Sequence, residues 1–133
     1  MMLSKLLYSL PLAVAFVVTA TSSWAQASHT ALSVVPKAYL IADIDVSDLP
    51  TYQTYIPLSA AAVAKYGGKF LVRGGQPKAL EGPRQPSRIV VLEFGSMSDL
   101  QAFYDSPEYE KARAIRQKAS TTPMYVVLQG AAP

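Results

Sequence analysis

The chain has 133 residues, 50% of them hydrophobic, with 12 Lys+Arg against 9 Asp+Glu and a formal net charge of +3. So small an excess, with no run of basic residues to concentrate it, excludes a nucleic-acid footprint. The absence of cysteine excludes thiol catalysis, iron–sulfur clusters, disulfides and a lipidated cysteine, so packing alone must hold the fold.

Residues 1–25 pattern as a secretory signal peptide. Lys5 precedes an apolar run over residues 6–20, interrupted by Pro11, and a small-residue segment follows. Signal peptidase needs small side chains at −1 and −3; Ser23/Ala25 supports a cut after Ala25, and Ala25/Ala27 a cut after Ala27. A membrane span wants about 20 uninterrupted apolar residues, and this run is shorter. The mature chain is therefore expected to be periplasmic or secreted, with no membrane contact once cut. It keeps about 107 residues, enough for one modest core. Trp24, the single tryptophan, leaves with the leader.

Residues 28–36 show no period and are expected to form a flexible arm. From Lys37, apolar residues alternate as in a strand, with Ala38, Leu40, Ala42 and Ile44 on one side. Tyr39, Ile41, Asp43 and Asp45 fall on the other side, which turns acidic. Ser47 or Asp48, with Pro50 in the first turn, starts a helix. Tyr52, Tyr55, Ile56, Ser59, Val63 and Tyr66 follow one helical face. Pro57 lies inside that pattern and is expected to kink or divide it. Gly67-Gly68 closes the helix.

Residues 69–73 read as a second strand and residues 77–81 as an extended return. Residues 87–94 are the strongest strand, expected to be buried on both faces. Ser96-Met97-Ser98-Asp99 spells a capping box, and Ser106-Pro107 restarts a helix that buries Tyr109, Ala112, Ile115 and Ala119. Lys111, Arg113, Arg116 and Lys118 are expected mostly to face water. Pro123 ends a linker, and residues 124–128 close the domain as a strand. The order β-α-β-β-α-β is the ferredoxin-like α+β arrangement: an antiparallel sheet with helices on one face. The bare face must find cover, and pairing two sheets in a homodimer is the economical solution.

The stretch Tyr66-Gly67-Gly68-Lys69-Phe70-Leu71-Val72-Arg73-Gly74-Gly75, then Glu81-Gly82, then residues 88–94, then Tyr104-Asp105-Ser106-Pro107-Glu108-Tyr109 with Arg116, resembles the domain of unknown function 1330 family over residues 37–130. The resemblance implies a dimeric α/β barrel of ferredoxin-like topology and leaves the activity open. The secretory leader is a departure from the cytoplasmic pattern of the relatives it is compared with.

Alternation places Lys69, Leu71 and Arg73 on one face of the second strand and Ile89, Val91 and Glu93 on one face of the third. With Asp43 on the same side, Arg73, Glu93 and Asp43 would make the polar end of an apolar pocket. Tyr39 and Tyr104 are candidate ligand contacts, since a tyrosine offers an apolar ring with a polar tip. Tyr52 and Tyr55 are read chiefly as core. The single histidine, His29, precedes the domain, which leaves no histidine base, triad or multi-histidine metal site. No cofactor is expected.

Three functions remain open. The first is an exported homodimer that binds a small anionic or aromatic molecule. The second is a cofactor-independent monooxygenase or isomerase, with Glu93 or Asp43 as base and Arg73 stabilising negative charge. The third is a structural dimer module without a ligand.

Overall fold

The computed structural model describes residues 34–131. The leader, both cleavage sites, His29 and residues 28–33 of the arm lie outside the described residues. The chain runs β1 (Ala38–Val46), α1 (Leu49–Lys65), β2 (Lys69–Gly75), β3 (Ile89–Phe94), α2 (Met97–Tyr104), α3 (Pro107–Ala119) and β4 (Ser120–Gln129). The sheet order is β2-β3-β1-β4, and every neighbouring pair is antiparallel. This is the ferredoxin-like α+β fold anticipated from the element order.

Local chemistry accounts for each helix. Asp48 caps α1, accepting from the Thr51 amide at 3.2 Å. Ser96 accepts from the Asp99 amide at 3.1 Å, capping α2, and its hydroxyl donates to the Asp99 carboxylate at 2.7 Å. Ser106 caps α3 through the Tyr109 amide, with Pro107 opening the helix. Helix α1 ends where Gly67 adopts a φ of +72° and the Gly68 amide donates back to the Val63 carbonyl at 2.9 Å.

Helix α1 passes through Pro57 undivided. Proline removes one amide donor and leaves the carbonyl four residues earlier without its helical partner. Both Pro57 and Gln53 lie on the exposed side, where that carbonyl is open to solvent. Pro123 likewise lies within β4 rather than before it. That strand is at the sheet edge, where a missing N–H is tolerated.

The helices cover one face of the sheet. Leu40, Ile44, Leu92, Phe94, Leu100, Phe103 and Tyr109 form the centre of the core there, each large apolar side chain contributing about 1.5–3 kcal/mol on burial. The other face carries Tyr39, Ile41, Ile89, Val91, Val126 and Leu128, none of them fully buried. Strand β3 is thus enclosed on its helix side and partly open on the other within one chain. Arg116 departs from the water-facing role that helical spacing assigns it: it is 4% exposed. Its Nη1 donates to Thr122 Oγ1 and its guanidinium lies 4.7 Å from the Tyr125 ring.

Candidate functional site

A row of cross-strand partners crosses the helix-covered face. Arg73 of β2 opposes Val90 of β3, Val90 opposes Ala42 of β1, and Ala42 opposes Tyr125 of β4. All four line a cleft roofed by Tyr52, Tyr55, Ile56 and Ser59 of α1. Valine and alanine at the centre of the row are short enough to leave space beneath the helix. The cleft holds a small cavity of about 40 Å³ that opens to solvent. Apart from Arg88, its other walls are apolar or aromatic.

The β2 end is cationic. Arg73 places its guanidinium 4.3 Å from the Phe70 ring centroid, and Arg88 places its own 5.7 Å from that of Tyr52. Arg88 Nε is buried and has no hydrogen-bond partner among the described residues. No aspartate or glutamate is among the described residues lining the cleft. Arg73 is exposed at the mouth, so the unpaired group is the buried Arg88 Nε, a donor that lacks a partner there among the described residues.

The β4 end is built of hydroxyls. Ser59 Oγ donates to Tyr55 Oη at 3.1 Å, and the hydroxyls of Tyr109 and Tyr125 hydrogen-bond each other. Burial pushes the Tyr55, Tyr109 and Tyr125 hydroxyls well above the ordinary tyrosine range. All three are therefore neutral at physiological pH. Each can donate one hydrogen bond and accept two, so the cluster can meet either a carbonyl or a hydroxyl group.

The expected Arg73–Glu93–Asp43 constellation is not assembled. One extra residue in β2, between Phe70 and Val72, shifts the pairing register and turns Arg73 to the helix side, where alternation alone would have kept it with Lys69. Asp43 and Glu93 remain on the open face. Glu93 accepts from Lys37 Nζ at 2.7 Å, which together with burial-opposing contacts to Tyr39 and Lys69 holds its carboxyl below the usual range. Asp43 is 3% exposed; it accepts from Arg84 Nη2 at 2.9 Å and from the Ser87 amide at 3.2 Å. It therefore anchors the loop over residues 76–88.

Neither tyrosine singled out as a ligand contact lines the cleft. Tyr39 sits on the open face opposite Glu93 and Leu128. Tyr104 lies behind the wall, its ring 6.0 Å from that of Tyr125 and stacked under the Arg113 guanidinium at 4.8 Å. The cleft instead uses Tyr52, Tyr55, Tyr125, Ser59 and Arg88. Tyr52, Tyr55 and Ser59 were visible as one helical face, but such a face reads equally well as plain core. Arg88 could have been found as the charged residue bounding the most apolar strand.

In fold the chain is similar to the RPA0582 protein of unknown function from Rhodopseudomonas palustris, at TM-score 0.59 and 18% identity, covering 74% of this chain and 85% of that one. It is also similar to SnoaB, a cofactor-independent oxygenase from Streptomyces nogalater, at TM-score 0.54 and 12% identity, covering 74% and 97%. No curated protein matches it. The family model described as Domain of unknown function (DUF1330) matches residues 37–130, the span that holds the sheet, the helices and the whole cleft. The chain belongs to the DUF1330 family.

Proposed function

We propose that the protein is an exported homodimer that binds a small anionic or aromatic molecule in the cleft between α1 and the sheet. The observation that carries this is the pair Arg73 and Arg88, opening into an aromatic recess that no described carboxylate lines. An organic anion would supply the missing countercharge, and its apolar body would replace water against Tyr52, Ile56 and Val90. Export follows from the leader pattern and dimerisation from the bare sheet face. Intact mass of periplasmic protein starting at Gln26 or Ser28 is the expected sign of processing.

Thermal unfolding with a panel of small carboxylic acids and phenols tests the binding role. A ligand at a hundred times its Kd stabilises the folded state by about 2.7 kcal/mol. Arg73 is exposed apart from its stacking on Phe70, so Arg73→Ala should keep the fold and lose the ligand response. A panel in which nothing raises the unfolding temperature would leave the structural dimer as the better account.

A cofactor-independent oxygenase or isomerase is the second reading, and its support is the fold likeness to SnoaB. Glu93 and Asp43 lie on the far side of the sheet from the cleft, which removes the base first assigned to it. The buried tyrosines, held neutral, are weak proton acceptors. Oxygen consumption with a bound phenol would nevertheless move the assignment from binding to catalysis.

A further inference from the structure

We infer that the cleft takes a compact carboxylate of roughly three or four non-hydrogen atoms, formate or acetate in size, held by Arg88 Nε inside the small cavity. The inference rests on the cleft being the binding site. It chooses the anionic branch of that reading and sets the ligand's size.

Volume sets the size. One enclosed water needs about 10–15 Å³ of such space, so a cavity of about 40 Å³ has room for about three. That is the room a carboxylate head and at most a methyl group require, and an aromatic ring exceeds it. The cavity opens to solvent, but Arg73 is exposed at the mouth. A longer tail would leave past that guanidinium and end in water, so it gains no apolar wall.

Charge sets the kind. Arg88 Nε is buried and unpartnered among the described residues, and a charge-assisted bond to a carboxylate is about twice as strong as one to a neutral acceptor. Arg116 adds a second positive group nearby. It is 4% exposed, its own Nε is also buried without a partner, and it makes no ion pair among the described residues. Its guanidinium lies 4.7 Å from the ring of Tyr125, which lines the cleft. Burial raises the pKa of the Tyr52 hydroxyl, and both Arg88 and Arg116 oppose that rise, so both charges are felt at the roof of the cavity. No described aspartate or glutamate lines it. One small anion inside would meet the Arg88 donor directly and offset the Arg116 charge through space.

Nitrogen–proton NMR titration of the purified protein at fixed ionic strength, with formate, acetate, butanoate, benzoate and the neutral formamide, tests this. Formate and acetate should move the Arg88 Nε–H resonance, identified by its loss in Arg88→Lys, and saturate at about millimolar concentration, near the limit for ligands so small. Butanoate should bind no tighter than acetate, whereas a cleft enclosing the chain would gain about fourfold per methylene. Benzoate should bind about tenfold more weakly than acetate, the ring being kept out of the cavity. Formamide has the shape of formate without its charge and should not saturate. In Arg88→Lys, acetate binding followed at the backbone amides should weaken about tenfold, the worth of one charged hydrogen bond; the wild-type size series carries the test if that variant fails to fold. Affinity that climbs with chain length, benzoate tighter than acetate, formamide equal to formate, or acetate binding intact in Arg88→Lys overturns the inference and leaves the binding role standing. So does an Arg88 resonance that no small acid moves while larger acids still raise the unfolding temperature. Failure of every acid, small and large, overturns both.

Discussion

The guanidinium of Arg88 fills the space that a side chain at Gly74 would need: a Cβ there would stand 2.2 Å from Arg88 Cζ. Gly74 also has a φ of +73°, a conformation that costs an L-residue roughly 1 kcal/mol or more. Gly74→Ala should therefore do two separable things. It should lower the unfolding temperature by several degrees, since about 1 kcal/mol shifts a domain of this size by roughly 4–8 °C. It should also push the flexible end of Arg88 out of the cleft and weaken binding of organic acids. A Gly74→Ala protein with a full ligand response would show that Arg88 does not touch the ligand.

Asp43 reaches the cleft indirectly. It accepts from Arg84 Nε at 3.1 Å as well as from Arg84 Nη2 and the Ser87 amide, and Arg84 Nη2 also donates to Asp45 at 3.0 Å. The register shift between Asp43 and Asp45 lets both acids meet the same arginine. Ser87 directly precedes Arg88, and the Ile44 amide donates to the Arg88 carbonyl at 3.0 Å, so the clasp fixes the backbone from which Arg88 enters the cleft. Asp43→Asn keeps the shape and removes the charge. The expected loss is about 1.5–3 kcal/mol, typical of a charged hydrogen bond, with faster amide exchange over residues 76–88. Exchange that rises uniformly over the whole domain instead would deny the clasp any local role.

What could be read directly from the residues was local. The three caps, the glycine stop after α1 and the alternation of β1 depend on neighbours a few positions apart, and these elements stand close to where patterning puts them. The misplacements share a cause of another kind. One extra residue at Leu71 reverses the faces of Val72 and Arg73 before a second shift at Gly74 restores the original alternation, so Arg73 changes sides; no rule of alternation announces a bulge. Arg116 sits among charged residues whose spacing suggests a wet face, yet it is buried and meets Thr122 and Tyr125 of β4. The residue pattern puts Tyr39 and Tyr104 ahead of Tyr55 as cleft residues, and the fold reverses that order, because it depends on which strand lies beside which. The second glycine after α1 is a similar case: a Cβ at Gly68 would stand 2.6 Å from Phe94 Cε1, a close approach fixed by tertiary packing. Gly68→Ala should cost about 1–3 kcal/mol by overpacking. Chemical denaturation should rank it beside or above Gly67→Ala, where a Cβ meets nothing and only the positive φ matters.

Stability should fall in acid, and the direction follows from the carboxylates. Asp45 is held below its ordinary value of 3.8 by hydrogen bonds from Ser87 and Arg84, and Glu93 below 4.5 chiefly by its hydrogen bond from Lys37. A carboxyl whose pKa is depressed on folding contributes stability that is fully present above its unfolded value. That contribution is lost as pH falls through the folded value. The unfolding free energy from urea titrations should therefore be level from neutrality to about pH 5 and decline below it. Both groups are solvent-accessible, so the decline should be shallow and weaker in added salt. Glu93→Gln should remove part of the slope and lower the plateau by the same small amount. A steep rise in stability on acidification would contradict the assignment of both pairs.

The bare sheet face makes a prediction that does not depend on any ligand. Val126 is 40% and Leu128 49% exposed in the single chain. They flank Ile41, which also opposes Val91, so apolar side chains run across three strands with Lys37, Lys69 and Glu93 at the edge. A sheet face of this kind is self-complementary under a two-fold axis, with the charged rim of one copy free to meet that of the other. A stable pairing needs roughly 1,200–2,000 Å² of total buried surface, which the central apolar patch and its rim must provide together. Val126→Asp discriminates between a paired face and a wet one. On a monomer, a substitution at so exposed a position should change stability by no more than about 0.5 kcal/mol. In a face-to-face dimer it sets a carboxylate against the partner's apolar sheet, where desolvation opposes association. Light scattering should therefore find two chains in the wild type and one in Val126→Asp, with an unfolding temperature that depends on protein concentration only in the former. A wild type of single-chain mass at micromolar concentration, or a Val126→Asp protein that keeps the double mass, would rule this face out as the dimer contact.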